Sequence, residues 1–349
     1  MGKVGFGIIG TGMIARFHLS AIKGLKGAEI VAVYDSSKAA LNRYCKETGV
    51  KGYDDFEEFL SDENIQVITI ATPSGTHDSL AIEAMKHGKN VITEKPMAIT
   101  VEKCDNMISC AKENNVILAG IFQSRYHEVP NIVKKAVDDG RFGKITLCSA
   151  FVKWFRSQEY FDSSSWKGTW AMDGGGALMN QSIHAIDLLQ WIAGPITEVM
   201  AYTGNLAHQR IEVEDTAVAV VRFASGALGT IEGATSVYPG FYKKIEICGS
   251  QGSAVIEEEN LDYWKFSDST DADEELFKKY SNITTTGGGA ADPKAIDSSG
   301  HQKCFQNVVD AIVDKTPVLI TGMEASKSVR VIEAIYKSSE THTSVKVEY

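Results

Sequence analysis

Val4-Gly5-Phe6-Gly7-Ile8-Ile9-Gly10-Thr11-Gly12-Met13-Ile14-Ala15 constrains this chain more than any other stretch, because an apolar run stops at a glycine turn and restarts with helical character. It reads as strand, turn, helix. Gly10 permits the tight turn, Gly12 lets backbone approach a pyrophosphate, and Ala15 stands where a small residue lets helix and strand pack closely. The amides of the new helix start then face the phosphates. Asp35 stands twenty residues beyond Ala15, at the end of the second buried run Ala28-Glu29-Ile30-Val31-Ala32-Val33-Tyr34. A carboxylate there holds an adenosine ribose. A 2′-phosphate would meet Asp35 at like charge, at up to about 4 kcal/mol for ~4 Å and an effective dielectric near 20. Ser36 and Ser37 follow, with no arginine to accept that phosphate. The cofactor expected is therefore NAD, ahead of NADP by roughly one to three decades in affinity.

A chain of 349 residues with 44% hydrophobic content exceeds the usual single-domain size, so two domains are expected, 1–123 and 124–349. The balance of 35 basic against 45 acidic residues, with no basic run, argues against nucleic acid and anionic membranes as partners. No apolar run approaches the length of a membrane span, and Met1-Gly2-Lys3-Val4 leads straight into a strand, so the expectation is a cytoplasmic protein. Cys45, Cys104, Cys110, Cys148, Cys248 and Cys304 lack metal-site spacing and read as reduced thiols, with no metal expected.

Beyond Asp35, Lys38 to Thr48 has helical composition and Gly52 to Leu60 resembles a short aspartate-capped helix. Ile65 to Ala71 is another buried strand, ending in Thr72-Pro73-Ser74-Gly75-Thr76-His77, a loop at a strand's carboxyl end, where ligands of doubly wound sheets bind. His77 either contacts the cofactor or packs the helix that follows. Asn90 to Thr93 is a further strand, followed by Glu94-Lys95-Pro96. A lysine there points into the cofactor crevice, unless it is a surface residue of a strand-to-helix loop; the proline restricts it to extended geometry. Val116 to Phe122 closes the first domain. From Lys144 onward β-like runs dominate: 145–155, 196–204, 216–223, 227–237, 241–248 and 253–258. They predict an antiparallel sheet with one covered face and one open face, the open face being an oligomer surface. Ser267 to Ser299 reads as a long Gly/Thr-rich loop, and amphipathic helices follow at 301–313 and 324–339.

Between the first two strands of the second domain, Asp173-Gly174-Gly175-Gly176 opens a helix on which Asn180, His184 and Asp187 share one face at i, i+4 and i+7. Three polar residues after a glycine approach are hard to explain as packing.

The turn at Gly10 to Ala15, Ala71-Thr72-Pro73 with His77, Glu94-Lys95-Pro96 and the glycine-rich helix reaching His184 together resemble the glucose-fructose oxidoreductase / inositol dehydrogenase (Gfo/Idh/MocA) family. The resemblance implies a Rossmann domain followed by an α/β domain with a large open antiparallel sheet. It implies hydride transfer between a nicotinamide and a ring carbon of a sugar, sugar derivative or cyclitol, in a homodimer or homotetramer. It places the catalytic lysine on Lys95 and the catalytic histidine on His184. Cofactor contacts are implied for Gly10, Thr11, Gly12, Met13, Ile14 and Asp35, and for Ala71, Thr72, Pro73, His77, Glu94 and Lys95. Substrate contacts are implied for Lys95, Arg125, Arg156, Trp166, Asn180 and His184. One position departs: many members carry an aspartate where this chain has Asn180, which orients groups but takes no proton. Asn180-Gln181 with Trp154-Phe155-Arg156 resembles the UDP-N-acetylglucosaminuronate 3-dehydrogenase subgroup, and Arg156 is either a clamp for a carboxylate or phosphate or a sheet-face arginine. The base is Lys95 or His184; His184 needs the smaller pKa shift. Free sugar or inositol oxidation, keto-sugar reduction and a non-catalytic sensor are the alternative functions.

Overall fold

The computed structural model describes residues 2–281 and 299–349. Its contacts divide the chain into two compact units, residues 2–123 together with 299–326, and residues 124–281 together with 327–349.

The first unit is built on a six-stranded parallel sheet of β1 (Val4–Ile9), β2 (Ala28–Tyr34), β3 (Lys51–Tyr53), β4 (Val67–Ile70), β5 (Asn90–Thr93) and β6 (Leu118–Gly120), in the order β3-β2-β1-β4-β5-β6. Strands β1 and β4 are buried at every residue, as sheet covered on both faces requires. The order reverses between β1 and β4, so their carboxyl ends diverge into a crevice. Helix Met13–Lys23 starts there and turns Ala15, His18, Leu19 and Ile22 inward. Helix Ser299–Val313, distant in sequence, packs on it. Asp55 caps helix Phe56–Ser61 by accepting the Glu58 amide at 2.9 Å.

The second unit carries an eight-stranded sheet of β7 (Ile145–Lys153), β8 (Ile196–Gly204), β9 (Thr216–Phe223), β10 (Leu228–Ala234), β11 (Lys244–Gly249), β12 (Gly252–Glu257), β13 (Asn260–Phe266) and β14 (Val345–Lys346). The order is β13-β12-β11-β7-β10-β9-β8-β14, antiparallel except where β10 runs parallel to β7. Strand β9 alternates strictly between buried and outward residues. Ala217, Ala219 and Val221 face the core, while Val218 and Val220 join Met200, Tyr202 and Leu228 among the exposed apolar side chains. Helix Ile183–Ala193 packs on β7 and β11.

Three expectations need correction. Residues 299–326, expected in a second domain of 124–349, belong to the first unit, because helix Ser299–Val313 packs on helix Met13–Lys23. The stretch after 267 is not all loop: Asp271–Tyr280 is a helix, because Thr270 and Asp273 cap each other's backbone and Arg141 grips Asp273 at 2.7 and 2.9 Å. Strand β13 is absent from the sequence reading because its inward residues Leu261, Trp264 and Phe266 break the two-residue period, and the register to β12 shifts between Val255 and Ile256. The rest of that expected loop, residues 282–298, lies outside the described residues.

Gly10 has φ +100°, and a Cβ there would lie 2.6 Å from the Ala71 carbonyl oxygen. Gly10→Ala therefore combines a left-handed backbone with a backbone clash. It should lower unfolding free energy by roughly 2–4 kcal/mol in a denaturant titration, whereas Gly27→Ala, also at positive φ but with open space around it, should cost about 1 kcal/mol.

Candidate active site

In the first unit the turn after β1 is closed by Asp35. Its Oδ2 accepts the Thr11 amide at 2.9 Å and the Thr11 hydroxyl at 2.6 Å, and its Oδ1 accepts the Ser37 amide at 2.8 Å. Three of about four acceptor positions are filled, leaving room for a ribose hydroxyl. Gly12 is the N-cap of helix Met13–Lys23 without a side-chain cap, and a Cβ on it would meet nothing within 4 Å. Uncapped first-turn amides opening on free space, with a carboxylate at the neighbouring strand end, suit a dinucleotide. Met13 is exposed and Ile14 half-buried at the same mouth.

Ala71, Thr72 and Pro73 follow β4, and the Thr72 and Thr76 hydroxyls pair at 2.8 Å. The buried His77 ring spans two loops, with Nδ1 2.9 Å from the Pro96 carbonyl and Nε2 3.0 Å from the Thr72 carbonyl. Burial pushes its pKa down, so the ring is neutral and its one N–H serves one carbonyl at a time. His77 thus ties the β4 loop to the β5 loop.

Glu94 turns inward. Its Oε1 lies 2.9 Å from His18 Nε2 and 3.4 Å from His301 Nε2, and its Oε2 accepts the Lys95 amide at 3.1 Å. The two histidines hold its carboxyl well below the usual carboxylate range against the cost of burial. Because the carboxylate only accepts, His18 carries its proton on Nε2, leaving Nδ1 to accept the Thr69 hydroxyl at 2.9 Å. Lys95 is half-buried, and its amide is tied to this network. Neither His18 nor His301 was singled out by the sequence. Each sits on a helix where a histidine is usually packing, and only the fold brings both to one carboxylate.

In the second unit, Ala177–Ser182 winds as a π-helix before Ile183–Ala193 continues as α-helix. The wider turn displaces Asn180 from the simple i, i+4 relation to His184 that the sequence suggests. Asn180 Nδ2 donates to Asp173 Oδ1 at 2.7 Å, and Asp173 Oδ2 accepts the Gly168 amide at 2.9 Å. A carboxylate therefore stands one hydrogen bond behind the asparagine. Both Asn180 and His184 are half-buried. Asp187 does not belong to that polar group: it is buried and takes Arg125 bidentately, at 2.9 and 2.7 Å. Arg125, expected at the substrate, is only 2% exposed, and its guanidinium is committed to this internal pair. Arg156 is also buried, lying over the Trp154 and Tyr160 rings at 5.3 and 5.6 Å, so it is not an open sheet-face residue. Trp166 is half-buried, and its carbonyl accepts the Thr169 hydroxyl at 2.7 Å.

With a parallel sheet reversing at β1, a glycine turn closed by Asp35 and the glycine-led helix of His184, the chain belongs to the Gfo/Idh/MocA family of NAD-binding oxidoreductases. The NAD-binding Rossmann-fold model of that oxidoreductase family matches residues 4–122, and the family's C-terminal domain model matches residues 131–255. Myo-inositol 2-dehydrogenase of Thermotoga maritima is 30% identical over 251 residues, 70% of this chain and 73% of that protein. 2,7-anhydro-N-acetylneuraminate hydratase of Mediterraneibacter gnavus is 30% identical over 74% of this chain and 68% of its own length. Among solved structures, the WlbA dehydrogenase of Bordetella pertussis, in complex with NADH and UDP-GlcNAcA, is 33% identical with a TM-score of 0.90, over 100% of this chain and 99% of that one. No described helix is long and apolar enough to cross a membrane.

Asp35→Ala removes a carboxylate that would accept a ribose hydroxyl and would oppose a 2′-phosphate. NAD affinity, read by fluorescence titration, should fall about tenfold, and the preference for NAD over NADP should shrink by at least as much.

Proposed function

We propose that this protein oxidises a ring secondary alcohol of a UDP-linked hexuronate, at C3, with NAD as acceptor. The observation that carries this reading is the likeness to the Bordetella dehydrogenase, at 33% identity over 100% of this chain, where the inositol dehydrogenase likeness covers 70%. The cradle of Trp154 and Tyr160 around Arg156 supports it, since a guanidinium kept rigid by aromatic faces suits a planar carboxylate or a phosphate.

NAD, when bound, supplies the hydride acceptor. Asp35 would hold the adenosine ribose, and the amides at the start of helix Met13–Lys23 would take the pyrophosphate. As the carbinol C–H pair leaves as hydride, His184 takes the hydroxyl proton and Lys95 polarises the oxygen that becomes the carbonyl. Asn180, bonded to Asp173, orients a substrate hydroxyl without itself taking a proton. The protein acts in the cytoplasm as a homodimer or homotetramer, with the open face of the second sheet as the contact surface.

NADH formation at 340 nm with UDP-N-acetylglucosaminuronate, free sugars, sugar acids and inositols tests this reading. Turnover is expected on the UDP-hexuronate with NAD. Lys95→Ala and His184→Ala should each lower kcat by at least about a hundredfold while NAD binding survives. Turnover confined to inositols or free sugars would overturn the substrate, and near-normal kcat in either variant would remove that residue from the chemistry.

A further inference from the structure

The π-helix that carries Asn180 and leads to His184 begins with amides that have no partner within the helix. One residue meets three of them in succession. Glu214 accepts the Gly176 amide on Oε2 at 2.9 Å, the Ala177 amide on its backbone carbonyl at 3.0 Å, and the Leu178 amide on Oε1 at 2.9 Å. Tyr336, from helix Gly322–Thr341, donates its hydroxyl to Oε1 at 3.0 Å. The fit leaves no slack: a Cβ on Gly176 would lie 1.7 Å from the Glu214 carbonyl oxygen, and one on Gly175 would lie 2.1 Å from the Tyr336 hydroxyl. Glu214 is itself buried.

We propose that Glu214, braced by Tyr336, is the positioning residue that sets the register of the π-turn and so the orientation of Asn180 and His184, and that its carboxylate form is the one that holds the productive geometry. The inference rests on the reading of His184 as proton acceptor. The charged form offers each donor an oxygen lone pair. Protonation turns one oxygen into a donor and a weak acceptor, so one of the two amides or Tyr336 loses its partner, and a buried donor left unmatched relaxes the turn. Burial pushes the Glu214 carboxyl up to about 7, against the amide and Tyr336 hydrogen bonds that favour its charge. The exchange therefore falls in the working range of pH. The ionisable group bonded to Glu214 is Tyr336, whose hydroxyl is kept protonated by burial and by the charges of Glu214 and Asp173. Its chain neighbour Asp215 turns away, to the amides of Leu206, Ala207 and His208.

The direct test is difference infrared spectroscopy across pH 5–9 on wild type and Glu214→Gln, beside kcat for UDP-N-acetylglucosaminuronate with NAD and the NMR signals of labelled histidine. A protonated-carboxyl band should vanish in wild type with a midpoint near 7 and be missing from the glutamine variant. The His184 resonance should shift with the same midpoint in wild type only. Glutamine presents an NH2 to one of the amides, donor against donor, so kcat should fall at least tenfold with KM for NAD within about twofold of wild type. Tyr336→Phe removes a bond that favours the charged form and should move the band and the acid limb of kcat together to higher pH. Should Glu214→Gln fail to fold, that shift in Tyr336→Phe decides the matter by itself. A Glu214→Gln enzyme with wild-type kcat and acid limb, or a His184 signal blind to the carboxyl titration, would overturn the proposal. Failure of the substrate reading is separately visible as absent turnover in wild type, with the infrared and NMR titrations still deciding the role of Glu214.

Discussion

Where β1 ends, Gly10 passes so near the end of β4 that a side chain of any size would strike the Ala71 carbonyl. That contact sits at the one place where the strand order of the sheet reverses. It fixes the turn from which helix Met13–Lys23 departs, and so decides that uncapped amides, Asp35, the β4 loop and the Glu94-Lys95-Pro96 turn all arrive at one rim. Lys95 stands at that rim because the turn leaving β1 is fixed by this contact.

The two units fix the backbone beside a candidate site residue by similar means. In the first, a carboxylate with two histidines behind it takes the amide of Lys95. In the second, a carboxylate with a tyrosine behind it takes the amides that open the His184 helix. Each uses a buried acid as acceptor for backbone N–H groups, where charge makes the hydrogen bond stronger and a missing partner would be costly. The two acids differ in electrostatics. Glu94 faces two imidazoles and stays charged, whereas Glu214 faces a phenol and amides and is pushed up to about 7.

Much of this was legible in the sequence because it depends on short-range signals. The glycine turn, the acid twenty residues on, the buried parallel strands and the alternation of β9 follow from local pattern alone. The helix after 270 has one local signal, the Thr270 and Asp273 capping pair, and a polar, glycine-rich surrounding hides it. Other features had no local signal. Helix Ser299–Val313 packs with the first unit, and His301 reaches Glu94 from it, through contacts that span most of the chain. Arg125 and Asp187 look like pocket residues in sequence, yet each is the other's buried partner. The π-turn at Ala177–Ser182 has no composition of its own and follows from the grip of Glu214 on three successive amides.

The most direct test of the account is to supply UDP-N-acetylglucosaminuronate carrying deuterium at C3 together with NAD, and to weigh the NADH formed by mass spectrometry. A single deuterium is expected in the reduced nicotinamide, with turnover slowed by the heavier isotope where hydride transfer limits the rate. NADH free of deuterium, or formed only from unlinked sugars or inositols, would contradict it.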